Sequence, residues 1–224
     1  MTKSSIATKF HPINGGTLRR EEVVLCVLAA AEFIRSTEFV VIGSQALLGM
    51  FPDAPIDAVK KSIDVDLFPT NFRETMFIPL HTELGMDSDF FNEHGIYVDT
   101  VRPELARFPP DWRERASTQC LGEVTINDER RKVHAIFPEI HDLTVSKAVI
   151  GREQDKAFLA GVIRLGLVNV PTLEQRLQAV PRTTPERIQE TLNEVRLISQ
   201  AFAEGDAAMK RVKKLQEKSN HRSQ

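Results

Sequence analysis

The stretch Ser62-Ile63-Asp64-Val65-Asp66-Leu67, closed by Pro69, reads as a β-strand with its charge on one face. In a strand, residues i and i+2 point the same way. Asp64 and Asp66 therefore project together, while Ile63, Val65 and Leu67 point the other way into a core. Aspartate is disfavoured in strands, and two like charges on one face raise each other's pKa when partly buried. A bound cation removes that penalty, and hard carboxylate oxygens suit Mg²⁺ or Mn²⁺. A half-exposed edge strand with two solvated aspartates has the same pattern, so the pair by itself leaves both readings open.

Upstream, Glu38-Phe-Val-Val-Ile42 is a short buried-type strand that stops at Gly43-Ser44, and residues 45–50 read as a helix. Glycine at such a turn lets a phosphate approach the backbone, and Ser44 with the first helical amides can hold phosphate oxygens. Alone, Gly-Ser is a weak signal, because an ordinary tight turn uses it more often. Downstream, residues 95–101 form a third strand in which Tyr97, Asp99 and Val101 share a face. If this strand lies beside the second, Asp99 joins Asp64 and Asp66. Three carboxylates around two metals about 3.5–4 Å apart suit in-line phosphoryl transfer.

The remaining pattern is helical at both ends. Residues 1–16 read as a loose leader, and Thr17 is positioned to cap a helix over 17–36 whose apolar residues recur at three- and four-residue spacing. The segment 51–61 is a proline-bearing loop, 71–85 a helix, and 86–93 an irregular link. Prolines 103, 109 and 110 predict little regular structure over 102–115. Residues 123–126 and 132–137 bracket Asn127-Asp128-Glu129 as a hairpin. Helices are expected from Glu139–Asp142 to about Arg152, over 154–165, near 172–180, and over 184–204 with Thr184-Pro185 as its start. The fold class is α+β: a mixed sheet of about five strands packed on helices, with a core over 17–166 and a helical C-terminal region over 167–224 whose basic end frays after Asp206.

Composition fits a globular chain. Of 224 residues, 42% are hydrophobic and 27% charged, with a net charge of −2. Residues 167–224 carry ten basic against seven acidic residues, an excess compatible with nucleic acid or with a solvated helical tail. The two cysteines form no zinc or disulfide pattern, and Cys26 falls in an apolar helical run. No apolar signal core opens the chain and no stretch is long enough to span a membrane, so a cytoplasmic location is expected. His134 and His141 lack a metal-ligand constellation and read as structural. Trp112 either stacks on a base or pins the proline-rich loop.

Taken in order, strand, Gly-Ser, helix, Asp-x-Asp strand and lone-Asp strand resemble the DNA polymerase β nucleotidyltransferase superfamily over residues 38–101. The run from His141 to Phe158, His-Asp-Leu-Thr-Val-Ser-Lys-Ala-Val-Ile-Gly-Arg-Glu-Gln-Asp-Lys-Ala-Phe, is similar to the helical motif Asp-Leu-x-x-x-Lys…Arg-x-x-Asp of the AbiEii-like and MenT-like nucleotidyltransferases, the toxin halves of bacterial toxin–antitoxin pairs. Gly-Ser stands where many of those proteins have Gly-Gly, and residues 95–101 and 110–115 look like a little-characterised bacterial branch near them.

The resemblance implies a nucleotidyltransferase fold and transfer of a nucleotidyl group from an NTP to a hydroxyl acceptor, an RNA 3′ end (tRNA included) or a protein. In it, Asp64, Asp66 and Asp99 are catalytic and hold Mg²⁺ (or Mn²⁺), Gly43 and Ser44 hold phosphate, Lys147 reaches the triphosphate, and Arg152 and Asp155 support the site. It also implies a cognate antitoxin or toxin as partner and no membrane. Two alternatives stay open: an antitoxin-type enzyme that modifies a partner protein, and a non-catalytic nucleotide- or RNA-binding module.

Overall fold

The protein's structure, a computed structural model, describes residues 18–53 and 62–220, with side chains described as far as residue 206. The expected leader, its Thr17 cap and most of the loop 51–61 lie outside the described residues. The architecture is α+β, with a five-stranded mixed sheet in the order β3-β2-β1-β5-β4.

Helix α1 (Arg20–Ile34) opens the described chain. Its first turn is closed by the Glu22 carboxylate, which accepts from the Arg19 amide, and it ends at Arg35 in the left-handed region. Its inner face buries Val23, Cys26, Val27, Ala30 and Ala31. Strand β1 (Glu38–Val41) runs antiparallel to β2 (Asp64–Pro69) on one side and parallel to β5 (Glu129–Phe137) on the other. Helix α2 (Ala46–Met50) follows β1 after the turn 43–45. Strand β3 (Tyr97–Thr100) is parallel to β2, and β4 (Ser117–Ile126) is antiparallel to β5.

The β4–β5 hairpin closes on Asn127-Asp128, both with positive φ (51° and 64°). That backbone suits a two-residue hairpin loop whose twist matches the strands. Both strands are longer than the alternating pattern predicts, because the outer ends of β4 and β5 carry exposed polar residues with no alternation to mark them.

Two helical expectations need correction. Residues 86–93 are not an irregular link throughout: α4 (Asp89–His94) forms after α3 (Glu74–Leu84), capped by the Ser88 side chain, which accepts from the Phe91 amide, and ended by Gly95 at φ +69°. The local cap overrides a stretch lacking helical periodicity. Within 102–115, Pro103–Leu105 is a 3₁₀ turn and α5 (Trp112–Arg115) a single helical turn. The C-terminal part holds α6 (Ile140–Ile150), α7 (Glu153–Arg164), α8 (Val170–Gln178) and α9 (Pro185–Asn220). The last helix runs well past 204, because residues 206–218 are rich in strong helix formers and hold no proline.

The sheet has two unlike faces. On one, Phe39, Val41, Val65, Leu67, Val98, Ala135 and Phe137 join α1, α2 and the C-terminal helices in one continuous core. On the other, only Val40, Phe68 and Ile136 are buried, covered by Phe72, Ala106, Trp112 and Ala116. The second face is left to charge, and the proline-rich segment 102–116 lies over part of it.

Candidate active site

Asp64 and Asp66 alternate with buried Val65 and Leu67 along β2. The period of the strand puts both carboxylates on the face opposite the main core. In the adjacent parallel strand, Asp99 is the register partner of Asp66, and Tyr97 that of Asp64. One carboxylate oxygen from each of Asp64, Asp66 and Asp99 lies within 4.8 Å of the others. The structure thus brings the third carboxylate to the pair. The Ser62 hydroxyl donates to Asp64 Oδ1 and fixes its orientation.

Gly43 ends β1 beside them. Its φ is +68°, and a Cβ built there would lie 1.8 Å from Asp66 Oδ2. The glycine is therefore needed to make room for the Asp66 carboxylate itself, a reason the sequence did not suggest. The neighbouring backbone is tied to the same strand, the Ile42 amide donating to the Asp66 carbonyl at 2.9 Å.

Charge is concentrated here without full compensation. Burial, then repulsion from Asp64 and Asp99, pushes the Asp66 carboxyl up to about 7, against the pull of Lys147 and Arg152. Asp99 is raised by burial and by Asp64, with His81 and Arg152 opposing. The Tyr97 phenol is pushed up to about 12 by burial and by the three carboxylates, which makes it a neighbour of the site that composition gave no reason to select.

The cationic side comes from α6 and the start of α7. Lys147 is buried, and its Nζ donates to Asp155 Oδ1 at 2.9 Å while lying 5.2 Å from the Phe158 ring. Arg152 and Asp155 pair three residues apart at the start of α7, across a helix break from Lys147. Gly151 ends α6 in the left-handed region, Arg152 caps α7, and Asp155 Oδ2 accepts from both the Arg152 amide (3.2 Å) and Nε (2.9 Å). Burial works to raise Asp155, but the Arg152 hydrogen bond and the Lys147 charge outweigh it and hold the carboxyl below its usual range.

A cleft of about 380 Å³ opens between these parts. Ile42, Gly43, Asp66, Asp99 and Val101 form its floor, Leu143, Ser146, Lys147 and Ile150 of α6 one wall, Leu105, Arg107 and Phe108 the other, with Arg152 beside them. Asp64, Ser44 and Asp155 lie outside this lining. Arg107 is pinned twice, its amide donating to Ser146 Oγ at 3.0 Å and its Nη1 to the Arg182 carbonyl at 3.0 Å. Leu105, Arg107 and Phe108 fall in the segment whose prolines erase any periodicity, so sequence reading passed over them.

A second charged group braces the base of α6. Asp142 is fully buried; it accepts from Arg115 (Nε, 2.8 Å) and forms an ion pair with Arg176 (Nη1, 3.0 Å). Glu139 accepts from Arg176 and from His141 Nδ1 (2.7 Å), while the Asn169 amide donates to His141 Nε2 at 2.7 Å. His141 is thus a structural histidine whose Nδ1 carries the proton. At the other end of α6, Arg187 of α9 donates to the carbonyls of Ala148 (2.9 Å) and Val149 (3.0 Å), satisfying acceptors the helix leaves open. Trp112 packs its ring 4.6 Å from that of Phe108, which fits the pinning role. Among the described residues, no helix is long and apolar enough to cross a membrane.

A family model described as a nucleotidyltransferase of unknown function (DUF6036) matches residues 27–204. No curated protein and no solved structure matches the chain.

Proposed function

The chain belongs to this family of nucleotidyltransferases, and from that premise we propose that it is a metal-dependent enzyme that transfers a nucleotidyl group from an NTP to a hydroxyl acceptor, an RNA 3′ end or a protein. The observation that carries the reading is the convergence of Asp64, Asp66 and Asp99 from two paired strands.

The donor set fits a divalent cation. Three carboxylate oxygens within 4.8 Å of one another are the hard donor set that a divalent cation takes. The Asp66 and Asp99 carboxyls are raised first by burial and then by repulsion among the carboxylates, which a cation would relieve, and Gly43 keeps the space the Asp66 oxygen needs. Asp64, Asp66 and Asp99 would hold Mg²⁺ or Mn²⁺. When bound, the ion neutralises triphosphate charge and acidifies the attacking hydroxyl.

The chain's own groups do the rest. Asp99 Oδ accepts the proton of the acceptor hydroxyl as its oxygen bonds to the α-phosphorus. The bond from that phosphorus to the bridging oxygen breaks, and pyrophosphate leaves with the electron pair. Gly43 and Ser44 border the phosphates. Lys147, clamped by Asp155, acts as a fixed positive charge behind them, and Arg152 presents a second cation at the cleft wall. The arrangement of Lys147, Arg152 and Asp155 supports a kinship with the AbiEii- and MenT-like toxins, and with it a cognate antitoxin as partner.

The test is transfer of label from each NTP to total RNA or lysate protein in Mg²⁺. The double variant D64N/D66N loses the transfer. Full activity in that variant refutes the reading.

A further inference from the structure

The three carboxylates have two unlike sides. Lys147 and Arg152 line the cleft together with Gly43, Asp66, Asp99 and Val101. Asp64 and Tyr97 lie outside that lining, one step toward the start of the same two parallel strands. Tyr97 is the register partner of Asp64 and precedes Asp99 by two residues, so its side chain shares their face of the sheet. Its backbone sits about 4.8 Å from that of Asp64 across the strands and about 7 Å from that of Asp99 along its own. The ring is half-buried and meets Phe91 edge-on, with centroids 5.8 Å apart. The phenol feels the charge of all three carboxylates, yet among the described residues its hydroxyl has no hydrogen-bond partner. A tyrosine on an edge strand is ordinary. This one is the chain's single tyrosine, and it holds an uncommitted hydroxyl beside the carboxylates.

The side matters because nucleotidyl transfer is an in-line displacement, with the attacking oxygen opposite the leaving pyrophosphate. The cations suited to pyrophosphate are on the cleft side, so the attacking hydroxyl comes from the side of Asp64 and Tyr97. Resting on the nucleotidyltransferase reading, we propose that Tyr97 is itself an acceptor, and that the enzyme nucleotidylates its own phenol. The Tyr97 oxygen bonds to the α-phosphorus, the bond from that phosphorus to the bridging oxygen breaks, and pyrophosphate leaves with the electron pair. The phenolic proton passes to Asp99, the group that takes the proton of any acceptor hydroxyl. The product is a nucleoside monophosphate esterified to Tyr97, in the place that an outside acceptor would take.

In the experiment the full-length chain is incubated with each NTP and Mg²⁺, without RNA or other protein, and its intact mass is measured. The wild type gains the mass of a single nucleoside monophosphate group, and fragmentation places it on Tyr97. D64N/D66N and Tyr97→Phe gain nothing, while Tyr97→Phe still binds inorganic tripolyphosphate in Mg²⁺, which shows that its site is folded. A second readout needs no turnover. Tetranitromethane nitrates Tyr97 in the free protein, and an α,β-methylene NTP analogue in Mg²⁺ protects it. A wild-type chain that keeps its mass while passing label to RNA or lysate protein overturns the proposal and leaves the transferase reading standing. So does a nucleotidyl group found on another residue, including the Ser62 hydroxyl beside Asp64, and so does nitration that a bound analogue fails to slow. A chain that neither modifies itself nor labels any acceptor overturns both.

Discussion

Replacing Asp66 by Asn should make the metal-free protein more stable at neutral pH while removing its response to Mg²⁺. The Asp66 carboxyl is pushed up to about 7 from an ordinary 3.8, chiefly by burial and then by Asp64 and Asp99. A shift of about three units, at about 1.4 kcal/mol each, sets an upper bound of about 4 kcal/mol. The three acids titrate together and the cleft is open to water, so roughly 1–3 kcal/mol is expected in practice. The sign follows from proton counting. Between pH about 4 and about 7 the folded chain holds a proton at Asp66 that the unfolded chain has lost, so stability falls as pH rises through that window. Above it the charge repulsion is fully present; below it there is none. Urea unfolding at pH 4 and pH 7.5, each with EDTA and with Mg²⁺, tests this directly. The wild type should gain stability from Mg²⁺ at pH 7.5, and D66N should exceed metal-free wild type at pH 7.5 but not at pH 4. A D66N variant that is less stable than metal-free wild type at pH 7.5, or that still gains stability from Mg²⁺, refutes the reasoning.

Other substitutions probe separate parts of the site. Gly43→Ala adds a carbon 1.8 Å from Asp66 Oδ2 and forces alanine to φ +68°; about 1–2 kcal/mol of backbone cost is expected, together with a loss of Mg²⁺ affinity readable by calorimetry. Asp155→Asn leaves Lys147 buried without its counter-charge and should cost about 3 kcal/mol in denaturant unfolding. Burial works to raise Glu139, but hydrogen bonds from His141 and Arg176 and the Arg176 charge outweigh it and pull the carboxyl down to about 2. Its stabilisation is therefore present above pH about 4.5 and lost as pH falls toward 2; Glu139→Gln should flatten that acid limb in melts recorded across the range. Asp128→Val places a β-branched residue at φ 64° in the hairpin loop and should cost about 1–2 kcal/mol, seen as a lowered urea midpoint.

What could be read beforehand followed from how locally each feature is encoded. Asp64 and Asp66 betray themselves because a strand's two-residue period is visible within three residues. The pairing of Asp66 with Asp99 needed a guess about which strands are neighbours, since no local signal fixes it. Lys147, Arg152 and Asp155 were selected by resemblance alone, and the contact of Lys147 with Asp155 went unread because α6 ends at Gly151 and the two meet across a helix break. Leu105, Arg107 and Phe108 gave no signal, because their placement depends on a proline-rich path across the sheet and on partners as distant as Ser146 and Arg182. Gly43 was noticed as a turn glycine, but the room it leaves for the Asp66 carboxylate was not legible, because that side chain comes from the next strand.

The hydrogen bonds from Arg107 to the Arg182 carbonyl, and from Arg187 to the carbonyls of Ala148 and Val149, have a practical consequence. They lace the turn before the last helix, and the helix itself, to both walls of the cleft. A shortened chain that stopped after the sheet and α7 would keep Asp64, Asp66 and Asp99 and still lose the frame that holds the walls apart. Anyone trimming this protein for crystallisation or for fusion should treat the final helix as part of the working surface, and place tags and junctions beyond it.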